Sequence, residues 1–191
     1  MTTPPVSGAQ LLKRMRKTSD PEAQAEVDFY LEAATEAAEE WKNTGPIIIR
    51  TVTEDVYTTA RRALIVTQRP VVSVTTATRI YDGTVYVTAD LDVDKEAGII
   101  TGKDWWLLSG GYSVVYEAGR AATPESAPAS LKMAVLIIAE HNMRTKQGPR
   151  TRAFRGQQPE PAEEFRTSNG FLIPRAAAGY LRGQSDPFLI G

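Results

Sequence analysis

The stretch "YSVVYEAGRAATPESAPASLKMAVLIIAEHNMRTKQG", residues 112–148, changes period halfway along, and its reading decides the fold. The first seven residues alternate like a strand and stop at Gly119. Small residues with Pro124 and Pro128 follow, and a helical repeat then runs from about Pro128 to Arg144. Leu131, Ala134, Val135, Ile138 and Ala139 form one stripe of that helix. Met133, Leu136, Ile137 and Met143 add apolar residues outside the stripe, and a helix that is apolar nearly all round is buried nearly all round. Hiding a large apolar side chain contributes roughly 1.5–3 kcal/mol. A second face of this helix must therefore meet the sheet, another helix or another copy of the chain.

Upstream, residues 1–8 are polar and Pro-rich and are expected to be mobile when nothing binds them. A short helix is expected from about Ala9 to Lys17. Asp20-Pro21 then starts a longer one, with Asp as N-cap and Pro in the first turn, where its missing N–H does no harm. Ala23, Val27, Leu31, Ala34, Ala38 and Trp41 recur on one face, while Glu22, Glu26, Glu36 and Glu40 take the other. Half of the apolar face is alanine, which permits close approach, and Gly45-Pro46 ends the helix. From Ile47 the period shortens: "IIIRTV", "RALIVT", "VVSVTTATRIY", "TVYVTA", "GIIT" and "YSVVYEA" read as short strands separated by turn signals such as Asp82-Gly83 and Gly110-Gly111. They predict a small antiparallel sheet or barrel-like subdomain, with an edge or a bend at Arg69-Pro70. Residues 145–170 read as a polar link of low order. A short helix lies within Ile173–Gly183, with Pro174 near its start, and the tail ends in Phe188, Leu189 and Ile190.

The chain has 191 residues, enough for one domain with a substantial core or one domain with an inserted subdomain. A formal net charge of −1 gives no overall pull toward nucleic acid or anionic membrane. No apolar run reaches the roughly 20 residues needed to cross a bilayer, and the N-terminal stretch does not read as a signal peptide. With no cysteine, disulfides, thiolate metal sites and cysteine catalysis are excluded. A cytoplasm-like compartment is the expectation.

Little else carries chemistry. His141, the one histidine, has no second histidine four residues away, so it reads as a locally bonded residue at the helix end. Asp90, Asp92 and Asp94 imitate a calcium loop for three positions, but Lys95 stands where Gly is needed and Thr101 where a bidentate Glu is needed. An exposed strand edge, with Leu91 and Val93 turned the other way, is the better reading. "LLSGG" is no nucleophile elbow, and "SGGYS" is no phosphate loop. Trp105 and Trp106 read as one core and one rim residue of a strand. Arg144, Lys146, Arg150, Arg152 and Arg155 crowd into "MRTKQGPRTRAFR"; they are candidates for contact with a partner protein or with DNA in a channel. No cofactor and no metal site is expected, and the chain does not read as an enzyme.

The order of segments resembles the head–tail connector (adaptor, or head-completion) proteins of tailed bacteriophages. The stretches that carry the resemblance are "DFYLEAATEAAEEWKNTG", "RPVVSVTTATRIYDG", "DVDKEAGIITG", "YSVVYEAG", "APASLKMAVLIIAEHNMRTKQG" and "GFLIPRAAAGYL", which span most of residues 20–182. Sequences of that family tend to carry an aromatic and an acidic residue near the end of the apolar helix, where this chain has "EHNMRTKQG". The resemblance implies an α+β chain: a helical bundle core (9–46 and 128–146), a β-rich insertion (47–119), a flexible N-terminus (1–8), and an extended C-terminal arm with linker and short helix (147–191). It implies a structural virion protein made in the host cytoplasm and placed in the neck. There a dodecameric ring would join the portal protein to a tail or stopper protein. Double-stranded DNA would pass through without sequence recognition, and no membrane is involved. Leu31, Trp41, Met133, Leu136, Ile137 and Met143 are then candidates for the subunit interface. Phe171, Ile173, Tyr180, Leu181, Phe188, Leu189 and Ile190 are candidates for docking on the portal. A stopper or tail-completion protein of the same neck is the alternative, and a nucleic-acid-binding protein ranks below both.

Overall fold

A computed structural model describes residues 3–18, 20–41, 45–58, 63–103, 109–146, 165–167 and 171–182. The chain is α+β, and its described residues fall into two compact units, one drawn from Met1–Thr44 with Thr123–Gly191, the other from Gly45–Ala122.

The first unit is helical. Helix α1 (Gly8–Met15) begins after Ser7, whose N–H donates to Gln10 Oε1 at 3.0 Å, while Pro5 and Val6 just before it are buried. Helix α2 (Pro21–Glu40) starts as its sequence dictates: Asp20 Oδ1 accepts from the Ala23 N–H at 2.7 Å, and Pro21 sits in the first turn. Helix α3 (Ala129–Lys146) packs against both, and the C-terminal segment returns to it as a two-stranded hairpin, β8 (Phe165–Arg166) with β9 (Leu172–Ile173), then helix α4 (Arg175–Leu181). Val27, Tyr30, Leu31, Ala34, Ala37 and Ala38 of α2 are all buried. The alanines among them let α2 and α3 approach closely.

The second unit is built of two antiparallel sheets. Four strands, β1 (Arg50–Tyr57), β3 (Val71–Arg79), β4 (Val85–Val87) and β7 (Gly111–Ala118), take the order β1-β7-β3-β4. Three shorter ones, β2 (Leu64–Ile65), β5 (Leu91–Asp94) and β6 (Ile99–Gly102), take the order β2-β6-β5. One face of β7 is buried throughout, with Tyr112, Val114, Tyr116 and Ala118 in a core shared with Leu64, Leu91 and Ile100 of the other sheet and with Val66 just after β2. Burial pushes the Tyr112 pKa up to about 12. Tyr116 is also raised by burial, and its hydroxyl donates to Glu54 Oε2 at 2.8 Å. The same carboxylate accepts from the Thr67 N–H, so one hydrogen-bonded cluster, part-buried at Tyr116 and exposed at Thr67, joins β1, β7 and the turn before Arg69-Pro70. That dipeptide, a cis peptide bond, carries the chain from one sheet to the other, which is the bend expected there.

Two details depart from expectation, and a third reading falls on residues outside the description. Ile47–Ile49 do not belong to β1; the Ile47 carbonyl accepts from the N–H groups of Arg120 and Ala121, and Ile48 bridges Ala121 in parallel, so β1 begins only at Arg50. Asp90 lies in a 3-10 turn (Thr88–Asp90) rather than on the strand. Trp105 and Trp106 lie outside the described residues.

Gly119 leaves β7 with φ +146°, and a Cβ there would come within 2.5 Å of Ile49 Cα. Gly83, in the β3–β4 turn, has φ +71° but open space around it. We expect Gly83→Ala to cost about 1–2 kcal/mol, the left-handed penalty alone. Gly119→Ala should cost more, on the order of 3 kcal/mol, because backbone must also move. Paired thermal melts check the order, and equal losses would contradict it.

Candidate functional site

Helix α3 has two unlike faces. Leu131, Ala134, Val135, Ile138, Ala139, Asn142 and Met143 point inward and are buried. On the other side Met133, Leu136 and Ile137 are half-buried, so the apolar surplus read in the sequence is only partly covered by the chain's own residues. This half-covered stripe is the candidate site.

Its polar end is fixed by charge. Glu140 Oε2 accepts from Arg14 Nε of α1 at 2.5 Å, and Glu140 Oε1 lies 2.6 Å from Arg144 Nη2, one turn further along. Arg14 Nη1 also rests on Met133 Sδ at 3.3 Å. A carboxylate held by two guanidiniums leaves the local balance positive. The Glu140 side chain is mostly screened from water, which strengthens both pairs, whereas the outer end of Arg144 reaches solvent with its side chain 62% exposed. Beside them an open hollow of about 210 Å³ is lined by Ile137, Glu140, His141, Arg144 and Pro174.

The inner face carries one buried polar residue that the sequence reading passed over. The Asn142 amide group donates to the carbonyls of Ile138 and Leu172, each at 2.8 Å, and its Oδ1 accepts from the Leu172 N–H at 3.0 Å. It thus meets both backbone groups of Leu172 as a neighbouring strand would. Ile173, Ala177, Ala178 and Leu181 are buried just beyond that clasp.

The other candidates are placed as follows. Leu31, Trp41 and Met143 are buried inside the helical unit, because the apolar face of α2 and the inner face of α3 close on each other. They therefore offer no outer face as the chain stands. Ile173 and Leu181 are likewise fully buried by their packing within this unit, Phe171 is half-buried with its ring 5.9 Å from that of Tyr30, and among the described residues of this group Tyr180 alone is exposed. Phe188, Leu189, Ile190, Arg150, Arg152 and Arg155 lie outside the described residues, as does the side chain of Lys146. Arg144, read as a channel or partner contact, is paired with Glu140. Asp90, Asp92 and Asp94 do not converge: Asp90 accepts from the Val87 N–H and Asp94 from the Ala97 N–H, while Asp92 is exposed on edge strand β5. Among the described residues no group of three or more His, Asp or Glu is placed to hold a metal, and no helix is long and apolar enough to cross a membrane.

Two further features escaped the sequence reading. Glu140 and Arg144 have the four-residue spacing of a helical ion pair, a legible signal, but Arg14 is 126 residues away and had none. Phe29 is off the apolar stripe of α2 and 58% exposed.

A family model described as head completion protein matches residues 9–171. The chain belongs to the head completion protein family, whose members are structural proteins of phage-type virions. Comparison with curated proteins finds no match. Among solved structures, a chain from the neck of an empty gene transfer agent (GTA) particle, computed with C6 symmetry, is similar with a TM-score of 0.64 and 19% identity, covering 97% of this chain and 93% of that one. A chain from the virion of a native GTA particle has a TM-score of 0.62 at 19% identity, over 84% of this chain and 87% of its own length. Another, from the neck of a native GTA particle computed with C12 symmetry, has 0.57 at 20%, over 84% and 88%. At these identities the likeness is one of fold.

Removing the Asn142 clasp should loosen the C-terminal segment before anything else. Asn142→Ala leaves the Leu172 N–H and carbonyl without their partner, a cost of about 1–3 kcal/mol in denaturant unfolding. Asn142→Asp keeps the acceptor and loses both donors. Both variants should speed amide exchange at Leu172 more than in α2; uniform acceleration across the unit would show that the clasp is not local.

Proposed function

We propose that this chain is a structural component of a phage-type neck. It forms a ring that joins the portal to the tail or the next neck component and continues the DNA channel. The observation that carries the reading is the half-covered stripe of Met133, Leu136 and Ile137 on a helix whose other face is already full. Membership of the head completion family supports it, and so does the C6 and C12 symmetry with which the necks containing similar chains were computed. A stripe of this kind is covered by a like molecule when copies repeat head to tail, and such contacts close into rings. The work of the protein on this reading is geometric, not catalytic. The basic run Arg144–Arg155 faces the duplex or a neighbouring protein, and the tail beyond Arg182, with Phe188, Leu189 and Ile190, reaches the portal.

Leu136→Glu or Ile137→Glu should leave a soluble subunit with nearly the parent's melting midpoint that no longer forms rings, as read by native mass measurement and by imaging of negatively stained samples. Rings of normal size from either variant would refute the assignment of the stripe. Deleting residues 183–191 should weaken co-sedimentation with portal and leave the melt unchanged; undiminished co-sedimentation would count against the docking role.

A further inference from the structure

Residues 1–19 contain no Asp or Glu, and four of the five residues from Lys13 to Lys17 are basic. These four, Lys13, Arg14, Arg16 and Lys17, lie in and just past the last turn of α1, and all are exposed. Cations at a helix C-terminus offset its dipole, which accounts for a basic end in general terms. Two observations go further.

The first concerns the backbone. The Arg16 N–H donates to the Lys13 carbonyl at 3.2 Å and the Lys17 N–H to the Leu12 carbonyl at 3.1 Å, so main-chain groups already close this end of the helix. The closure puts Arg16 in the left-handed region, at φ +54° and ψ +37°, and among the described residues it is the one non-glycine with positive φ. Glycine is the default at such a position, because a Cβ is disfavoured there. The chain keeps an arginine where a glycine would suit the fold better.

The second concerns the surroundings. Among the described residues, Lys13, Arg16 and Lys17 form no ion pair. Asp20, the next acidic residue along the chain, is engaged by the Ala23 N–H instead. Glu140 of α3 holds Arg14 on one oxygen and Arg144 on the other, so the end of α1 and Arg144 bring five cations to one carboxylate. No large apolar residue is exposed from Ala9 to Thr18: Leu11 and Leu12 are buried and Met15 is half-buried. A protein partner is anchored by apolar or aromatic side chains at the centre of its contact, whereas a phosphate backbone needs only cations and hydrogen-bond donors.

We infer that the end of α1, with Arg144 beside it, is a phosphate-contact surface for double-stranded DNA. The inference rests on the channel reading above and names residues that meet the duplex. Contacts of this kind read no sequence and let a duplex slide, as passage through a channel requires.

The test uses the full-length protein. Its mass is measured over a concentration series, and the assembled fraction is titrated with a short duplex of mixed sequence over a salt series, read by fluorescence anisotropy. Wild type should bind with an affinity that falls as salt rises and is the same for a second, unrelated sequence. Replacing Lys13 and Lys17 together, Lys13→Gln with Lys17→Gln, should flatten the slope of log K against log salt by about 0.9 per lysine. Arg16→Gly should flatten it by a similar step and at the same time raise the melting midpoint, two changes that a purely structural arginine would not combine. An unchanged slope with all three cations replaced shows that the duplex is held elsewhere, which overturns this surface and leaves the channel reading standing. Rings that bind no duplex also overturn the surface and leave the ring standing. Tighter binding of poly-glutamate than of the duplex overturns the assignment to DNA in favour of an acidic protein. A chain that stays monomeric throughout overturns the ring reading itself.

Discussion

Asn142 answers both backbone groups of Leu172 from the buried face of α3, and the arrangement of the helical unit depends on that match. The outer edge of a two-stranded hairpin has unpaired N–H and C=O groups, and burying them bare would cost several kcal/mol. The amide of one side chain, carried on a helix that cannot itself pair with a strand, satisfies both. With the backbone of Leu172 satisfied, Ile173 can enter the core, and α4 follows with Ala177, Ala178 and Leu181. These residues occupy the inner surface of α3, and Met133, Leu136 and Ile137 are left on the outer one. The half-covered stripe is thus a consequence of where the polar clasp was placed.

The sheet unit solves a similar problem with a carboxylate. Glu54 accepts from the Tyr116 hydroxyl and the Thr67 N–H at once. Where β7 must leave the sheet beside Ile49, a glycine with positive φ is required because a side chain would strike backbone. In both units the apolar residues make burial favourable, and a few polar residues decide which of several burials occurs.

That division explains what could be read in advance. The alternation in residues 112–118 and the apolar repeat in 128–144 are dense local signals, and the strand and helix appear close to where the pattern places them. Asp20-Pro21 announces its own helix start for the same reason: cap, proline and first turn are neighbours in the chain. Asn142 was not legible, since its partner lies 30 residues on and nothing about an asparagine says what it will meet. Arg14 was hidden in the same way. Leu31 and Met143 are buried within their own unit, which periodicity alone does not say: it marks a residue as buried without saying whether its own chain or a neighbour buries it. Phe29 was readable in principle, because an aromatic off the apolar stripe is anomalous on an acidic face.

Charge is the remaining organising feature. Seven acidic residues (Glu22, Glu26, Asp28, Glu32, Glu36, Glu39 and Glu40) and no basic one lie between 21 and 41, while five basic residues and no acidic one lie between 144 and 155. A net charge of −1 conceals this segregation entirely. In the ring proposed above, a joint that brings acidic residues against basic ones would be favoured over a joint where like charge meets like. The apolar stripe alone would favour any partner of suitable shape. On that reading, segregated charge narrows the choice to joints that bring unlike charges together.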